Sequence, residues 1–285
     1  DRHGRVARDL RLSLTDRCNL RCTYCMPAEG LPWLPTADTL TDAEVVRLAR
    51  IAVGTLGVDQ VRFTGGEPLL RRSLEDIVGA VAALRTPGGT RPEISLTTNG
   101  LGLAHRAAAL RGAGLDRVNI SLDAVERERY AQIARRDRLP DVIAGIDAAT
   151  AAGLTPVKLN TVLMRGVNED QAVPLLAFAL ERGHQLRFIE QMPLGPRHTW
   201  SRDAFVPSAE IRALLAARFA LTPIGRDDDA APATLWRVDP SPGLPGGTVG
   251  IIASVSEPFC GACDRTRITA DGQMRPCLFG DLEID

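Results

Sequence analysis

A chain of 285 residues with 34 Lys and Arg against 35 Asp and Glu carries a formal net charge of −1, so no bulk field draws it to nucleic acid or to an anionic membrane surface. An apolar share of 45% fits a globular protein with one large α/β domain, or such a domain with an appended piece. No apolar run approaches the roughly 18 residues of a membrane-spanning helix, and 6 cysteines in two tight groups, with nothing resembling a signal peptide, read as metal ligands in a reducing compartment, most simply the cytoplasm, rather than as a disulfide framework.

The alternating run Leu10-Arg11-Leu12-Ser13-Leu14 predicts a first strand. It leads directly into Cys18-Asn19-Leu20-Arg21-Cys22-Thr23-Tyr24-Cys25-Met26-Pro27, three cysteines spaced C-x3-C-x2-C. After a Pro-rich segment, Thr41 with Glu44 forms a capping-box pattern, and Val45, Leu48, Ala49, Ala52 and Leu56 mark one helical face that Gly57 ends. The rhythm then repeats: strand 60–64, helix 74–85, strand 93–98, helix 103–112, strand 117–121, helices 126–132 and 140–152, strand 156–162, helix 169–182 and strand 185–190. Six strands alternating with helices predict parallel βαβ units and an α/β fold, a partial (β/α)6 TIM-like barrel over residues 1–194. From about residue 195 the rhythm stops. A loop from Pro196 to Pro207, a helix 208–218 capped by Ser208, an acidic Ala-rich linker from Arg226 to Pro232, a Pro/Gly loop from Pro240 to Gly247 and a strand near 249–253 make up a C-terminal extension, 195–285. It ends in a second cysteine group, Cys260, Cys263 and Cys277, with Asp264-Arg265-Thr266-Arg267 inside it.

Thiolate is a soft ligand, and three thiolates on a loop leaving a strand can each hold one iron of a 4Fe–4S cluster, leaving the fourth iron open to a substrate atom. Structural zinc is the rival at both groups. It asks for a fourth donor, and the nearest histidine to the first group is His3, before the first strand. At the second group a C-x2-C start is common to zinc ribbons, and Asp264 or a water would have to complete the set.

Side chains alternate along a strand. If Leu10, Leu12 and Leu14 pack against helices, then Arg11 and Ser13 face the lumen. By the same parity so do Arg62 and Thr64, Ser95 and Thr97, Asn119 and Ser121, Lys158 and Asn160, and Arg187. That places four cations together with no acid from the same set, which is costly without a polyanion, and a triphosphate is the natural partner of Arg forks. A one-residue shift in register would instead turn the cations to water.

C-x3-C-x2-C with an aromatic residue before the third cysteine resembles the cluster motif of the radical S-adenosylmethionine (SAM) superfamily, and Gly65-Gly66-Glu67-Pro68 after the second strand resembles its SAM-binding turn. The two three-cysteine groups narrow the resemblance. So do Asp-Arg-Cys-Asn, Val-Arg-Phe-Thr-Gly-Gly-Glu-Pro, Leu-Thr-Thr-Asn-Gly, Asn-Ile-Ser-Leu-Asp-Ala, Arg-Phe-Ile-Glu-Gln-Met, and Cys-Asp-Arg-Thr-Arg with Asp-Gly-Gln before Cys277. Together they resemble the GTP 3′,8-cyclase family of molybdenum cofactor biosynthesis over nearly the whole chain.

The resemblance implies that Cys18, Cys22 and Cys25 hold a cluster that cleaves SAM, and that Cys260, Cys263 and Cys277 hold a second one that binds the guanine of GTP. It assigns Tyr24, Gly66, Ser121 and Met192 to SAM, and Arg11, Arg62, Thr97, Lys158, Arg265 and Arg267 to GTP. Read from the residues alone, Met192 is as well suited to core packing. The implied reaction takes the hydrogen from C3′ of GTP and joins C3′ to C8, giving 3′,8-cyclo-7,8-dihydro-GTP. It needs an electron donor and precedes a cyclic pyranopterin synthase, with the enzyme a monomer or homodimer. Members of that family continue past the second group into a tail ending in two glycines, and the chain as given stops at Asp285, shortly after Cys277. By the resemblance, that tail reaches the active site. Two alternatives remain at this level: a peptide-modifying radical SAM enzyme with an auxiliary cluster, and a non-enzymatic iron–sulfur carrier or scaffold. The first has no need of a lumen of Arg and Lys, and the second leaves the Gly-Gly-Glu-Pro turn without a role.

Overall fold

The computed structural model describes residues 4–195, 200–280 and 282–284. Its centre is a run of six parallel strands: β1 (Asp9–Ser13), β2 (Gln60–Thr64), β3 (Glu93–Thr98), β4 (Arg117–Ser121), β5 (Lys158–Leu163) and β6 (Gln185–Glu190). The helices α1 (Asp42–Gly54), α2 (Leu74–Ala82), α3 (Leu103–Ala113), α4 (Arg127–Ala134), α5 (Leu139–Ala151) and α6 (Ala172–Glu181) lie in the connections. Each parallel step needs a crossover of a dozen or more residues, which the helices supply. Thr41 caps α1 as its spacing predicts: its side chain accepts from the Glu44 amide, and Glu44 Oε2 accepts from the Thr41 amide at 2.8 Å.

Leu10, Leu12, Leu14, Val61, Phe63, Ile94, Leu96, Val118, Ile120, Leu159, Leu186 and Phe188 are buried in one core with Val45 and Val53 of α1, Ile77 of α2, Leu110 of α3 and Ile146 of α5. The opposite parity is polar, as expected, and the register shift is not present. Helix 169–182 begins as a single 3-10 turn, Glu169–Gln171, before α6. β5 begins at Lys158, two residues later than its hydrophobic pattern implied, after Pro156, which has no amide proton for a ladder.

The C-terminal region completes the sheet rather than standing apart from it. After α7 (Ser208–Ala216), β7 (Leu221–Gly225) and β8 (Thr234–Val238) form an antiparallel pair, and β9 (Gly247–Ile252) joins β6 in parallel. The chain then crosses to the other edge, where β10 (Arg265–Ile268) lies parallel to β1 and β11 (Met274–Arg275) closes the order β11-β10-β1-β2-β3-β4-β5-β6-β9-β8-β7. β7, β8, β10 and β11 are absent from the sequence reading. β7 carries a proline and lies at an edge, and β10 is four residues long, so neither has a window in which alternation stands out.

Two details correct the expectations. Ser208 is the first residue of α7, not its cap: its amide donates to Glu190 Oε1 at 2.7 Å and its hydroxyl is turned to Glu257. The predicted loop from Pro196 to Pro207 begins at 196–199, which lie outside the described residues. No described helix is long and apolar enough to cross a membrane.

Candidate active site

The cysteine loop follows β1 and is held on three sides. Behind it, the turn after β2 docks directly on its backbone: the Gly66 amide donates to the Thr15 carbonyl at 2.7 Å and the Glu67 amide to the Arg17 carbonyl at 2.8 Å. Gly65 sits at φ +141°, and a Cβ there would lie 2.4 Å from the Thr15 oxygen; a Cβ on Gly66 would lie 2.3 Å from the Arg17 oxygen. The glycines bring backbone close to the cysteine loop, and both also stand in the wall of the cavity that the three thiols line. On a second side, the Arg21 and Thr23 amides donate to the carbonyls of Ala134 and Ile133 at the end of α4, at 3.2 and 3.0 Å. On the third, Tyr24 donates its hydroxyl to Asp123 Oδ2 at 2.9 Å, while Asp123 Oδ1 accepts from the Val162 amide at 2.9 Å.

Glu67 is fully used inside the fold. Its Oε1 accepts from the Leu69 amide at 3.0 Å and the Thr98 hydroxyl at 2.7 Å, and its Oε2 from the Asn99 amide at 2.7 Å. Asn99 is thereby set to donate to Asn19 Oδ1 at 2.7 Å and to point the same amide group at Cys18 Sγ, 3.8 Å away. These contacts frame a cavity of about 150 Å³ in whose wall are Cys18, Cys22, Cys25, Tyr24, Gly66 and Ser121. Burial pushes all three thiols up; Asp123 and the neighbouring thiols add to this at Cys22 and Cys25, and Glu67 adds to it at Cys18. Asp123 is itself pushed up to about 6 by burial. Three bare thiolates would therefore be unstable here, and a polynuclear cationic centre is what would hold them deprotonated. Among the described residues no three His, Cys, Asp or Glu side chains converge on a point that one metal ion could occupy. An iron–sulfur cluster takes one thiolate per iron and does not ask for that convergence. The residues of the first loop fit such a cluster.

Thr64 faces this cavity, and Arg62, two residues earlier on the same face of β2, faces a second and larger one of about 570 Å³. Its wall includes Arg62, Arg117, Lys158, Arg187 and Arg265. Arg187 is buried among neutral acceptors, donating from Nε to Asn160 Oδ1 at 3.0 Å and from a terminal nitrogen to Asn119 Oδ1 at 2.7 Å. Opposite it on β9 stands Gly250, where a Cβ would lie 3.2 Å from Arg187 Cγ. Arg62 donates from Nε to Ser95 at 3.1 Å. The Lys158 ammonium has no hydrogen-bond or ion-pair partner among the described residues. Burial lowers all of these groups: Arg187 to about 9, Arg62 to about 10 and Lys158 to about 8, with neighbouring cations adding to the effect.

The absence of acid from the lumen set is corrected by the structure. β1 begins at Asp9, one residue earlier than predicted, and Asp9 shares the parity of Arg11. Its Oδ2 lies 3.6 Å from Arg11 and 3.8 Å from Arg62. Asp227, Asp228 and Asp264 also stand in the wall of the larger cavity.

The second cysteine group flanks the other end of the strands. Cys260 and Cys263 bracket a 3-10 turn immediately before β10, whose Arg265 and Arg267 pair in register with Asp9 and Arg11. Arg265 donates to Cys263 Sγ at 2.9 Å and lies 5.0 Å from the Phe259 ring, which Arg226 also approaches at 4.6 Å. Arg267 is lowered to about 10 by burial and by Arg11 and Arg265, and the Cys263 and Cys277 thiols oppose that shift, so all of these groups share one neighbourhood. The register row Arg267, Arg11, Arg62 thus runs across three adjacent strands.

The predicted residues separate accordingly. Tyr24, Gly66 and Ser121 line the thiol cavity, and Thr97, assigned to GTP by resemblance, lines it too. Arg62, Lys158 and Arg265 line the basic cavity, with Arg11 and Arg267 beside Arg62 in the sheet. Met192 follows β6 and is half-buried, and it lines neither cavity. Sequence reasoning did not single out Asp9, Asn99, Arg117 or Asp123 as site residues. Arg117 was within reach of it, since it shares the parity of Asn119 and Ser121 in a strand predicted to begin there. Asn99 and Asp123 follow the strands, where alternation gives no direction.

The Radical SAM superfamily matches residues 12–179, and Molybdenum Cofactor Synthesis C matches residues 184–285. A GTP 3′,8-cyclase of Corynebacterium glutamicum is 62% identical over 284 residues, covering 99% of this chain and 75% of that protein. One of Mycolicibacterium smegmatis is 59% identical over 285 residues, covering 100% of this chain and 78% of the relative. In fold, the chain is similar to Streptococcus suis SuiB, with a TM-score of 0.67 at 14% identity, over 100% of this chain and 64% of that one. The chain belongs to the GTP 3′,8-cyclase family of the radical SAM superfamily.

Proposed function

We propose that this chain converts GTP to 3′,8-cyclo-7,8-dihydro-GTP with SAM as co-substrate, the first step of molybdenum cofactor biosynthesis. The observation that carries the reading is that the walls of the two cavities are tied together. Asn119 donates to the Thr97 hydroxyl at 3.4 Å on the thiol side and accepts from Arg187 at 2.7 Å on the basic side, so one buried side chain links a wall residue of each cavity. A 4Fe–4S cluster on Cys18, Cys22 and Cys25 would supply the electron that cleaves SAM, and with it the means of taking hydrogen from C3′ of GTP.

The chain's own part is binding, orientation and charge. Tyr24, tethered by Asp123, and Gly66 and Ser121 form the wall against which SAM would lie, with Met192 assigned to it by resemblance alone. Arg11, Arg62, Lys158, Arg265 and Arg267 would take the triphosphate: the lowered pKa values of Arg11, Arg62, Lys158 and Arg267 mark cations that a polyanion stabilises, and Arg265 stands in the same cavity wall. Thr97, at the join between the cavities, would meet the nucleoside. Cys260, Cys263 and Cys277 would hold the second cluster against the guanine. In this reading residues 1–194 are the SAM-cleaving core and 195–285 supply the guanine side. An external electron donor and a downstream cyclic pyranopterin synthase complete the sequence of reactions in the cytoplasm.

The test uses anaerobically reconstituted protein with SAM, dithionite and GTP deuterated at C3′. Deuterium is expected in the 5′-deoxyadenosine formed. Cleavage of SAM without deuterium transfer, in a chain extended to the length of its relatives, would remove GTP as substrate and leave only the superfamily chemistry.

A further inference from the structure

Arg117 opens β4 on the lumen face, and its Cα is paired in register with Ser95, the residue whose hydroxyl accepts from Arg62 Nε. Glu93, at the start of β3, holds Arg117 through Nε. The Arg117 side chain is 13% exposed against 43% for Glu93. One of its terminal nitrogens, Nη1, is buried with no hydrogen-bond partner. The side chain stands in the wall of the larger cavity with Arg62, Lys158 and Arg187, and its charge acts on all three.

A cross-strand ion pair kept only for stability would gain by turning its remaining nitrogens to water, where they are hydrated and far from like charge. This pair does the reverse: it leaves one donor buried and unpaired, on a guanidinium whose charge acts on three other cations of the same wall. That arrangement is unfavourable in the free protein and becomes favourable when an anion with several oxygens enters. Glu93 neutralises one edge of the guanidinium and fixes the plane of the fork.

We propose that Arg117 is a further phosphate-binding residue, contacting the phosphate chain of the substrate through the part of its guanidinium that Glu93 does not hold, with Glu93 as the positioning residue that aims it. The proposal rests on the reading of a nucleoside triphosphate in this lumen and adds a residue to its binding set.

Equilibrium binding to the reconstituted full-length protein, with GTP, guanosine, SAM and inorganic tripolyphosphate as separate probes, tests it. R117Q is expected to weaken GTP and tripolyphosphate by roughly tenfold or more, the usual worth of a charge-assisted bond, and to leave guanosine and SAM unchanged. R117K, which keeps the charge and loses the fork, is expected to fall between R117Q and the wild type. E93Q is expected to weaken tripolyphosphate binding in the wild-type background and to have no further effect in R117Q. Wild-type tripolyphosphate affinity in R117Q, or an equal loss of guanosine and GTP, overturns the assignment. Should R117Q not fold, wild-type tripolyphosphate affinity in R117K overturns it instead. If the wild type binds tripolyphosphate but not GTP, and R117Q loses it, the Arg117 site stands and the nucleotide reading falls. If the wild type binds neither, both fall.

Discussion

In the thiol cavity the buried charged groups, Glu67 and Asp123, are carboxylates whose four oxygens are all engaged by amides or hydroxyls of the fold. In and beside the basic cavity the buried charges are mostly cations, and Asp9 Oδ1, Arg117 Nη1 and the neighbouring Arg11 Nε are buried without hydrogen-bond partners. The contrast separates two ways of building a site. The carboxylates fasten the cysteine loop to the ends of β2, β3 and β4, so its shape is complete in the free protein. Arg187 and Arg62 are oriented by the neutral Asn119, Asn160 and Ser95, and Asp9 and Glu93 offset only part of the charge of Arg11, Arg62 and Arg117. The remaining charge is left for a ligand.

The sharpest way to break that contrast is at the rigid end. Gly66→Ala puts a Cβ 2.3 Å from the Arg17 oxygen and 2.4 Å from the Asp16 oxygen, both backbone atoms that cannot yield without moving the cysteine loop. We expect SAM cleavage to fall by about 100-fold, the cost of misplacing a reacting group by roughly an ångström. Assay of 5′-deoxyadenosine formation in the absence of GTP checks it, and a near-normal rate would mean the loop has slack that the geometry denies.

A smaller effect is expected at the basic end, and it depends on pH. Lys158 is lowered to about 8 by burial and by its cationic neighbours, and a bound phosphate raises it again. Binding therefore takes up a proton once the pH exceeds about 8, so triphosphate affinity is flat below that value. Above it affinity falls by about tenfold per pH unit, until the pKa of the bound state is reached. Lys158→Arg, whose guanidinium holds its proton to higher pH, is expected to move the onset of the fall from about 8 up to about 9, where Arg187 begins to titrate. An identical onset in that variant, measured by GTP titration, would assign the proton to another group.

The smallest expected effect lies outside both cavities. Thr41→Ala removes the α1 capping box and is expected to cost about 1 kcal/mol of stability while leaving SAM cleavage and GTP binding unchanged. Chemical denaturation with both assays in parallel would show this. A change in either assay would tie α1 to the site.

The sequence by itself determined the two cysteine groups, the helix–strand rhythm to residue 190, and the parity that turns Arg11, Arg62, Lys158 and Arg187 to one face. These are local properties: ligand spacing, a capping residue and a period of two each lie within a few residues of chain. What only the tertiary structure decided is what stands opposite each group. β10 lies beside β1 although the two are separated by most of the chain, and this brings Arg267 next to Arg11 and the second cysteine group to the far end of the lumen. The acid at Asp9, the Glu93 hold on Arg117 and the docking of Gly66 on Thr15 are likewise contacts between different elements. No periodicity within one element reports its neighbour, because pairing is set by burying the whole core at once.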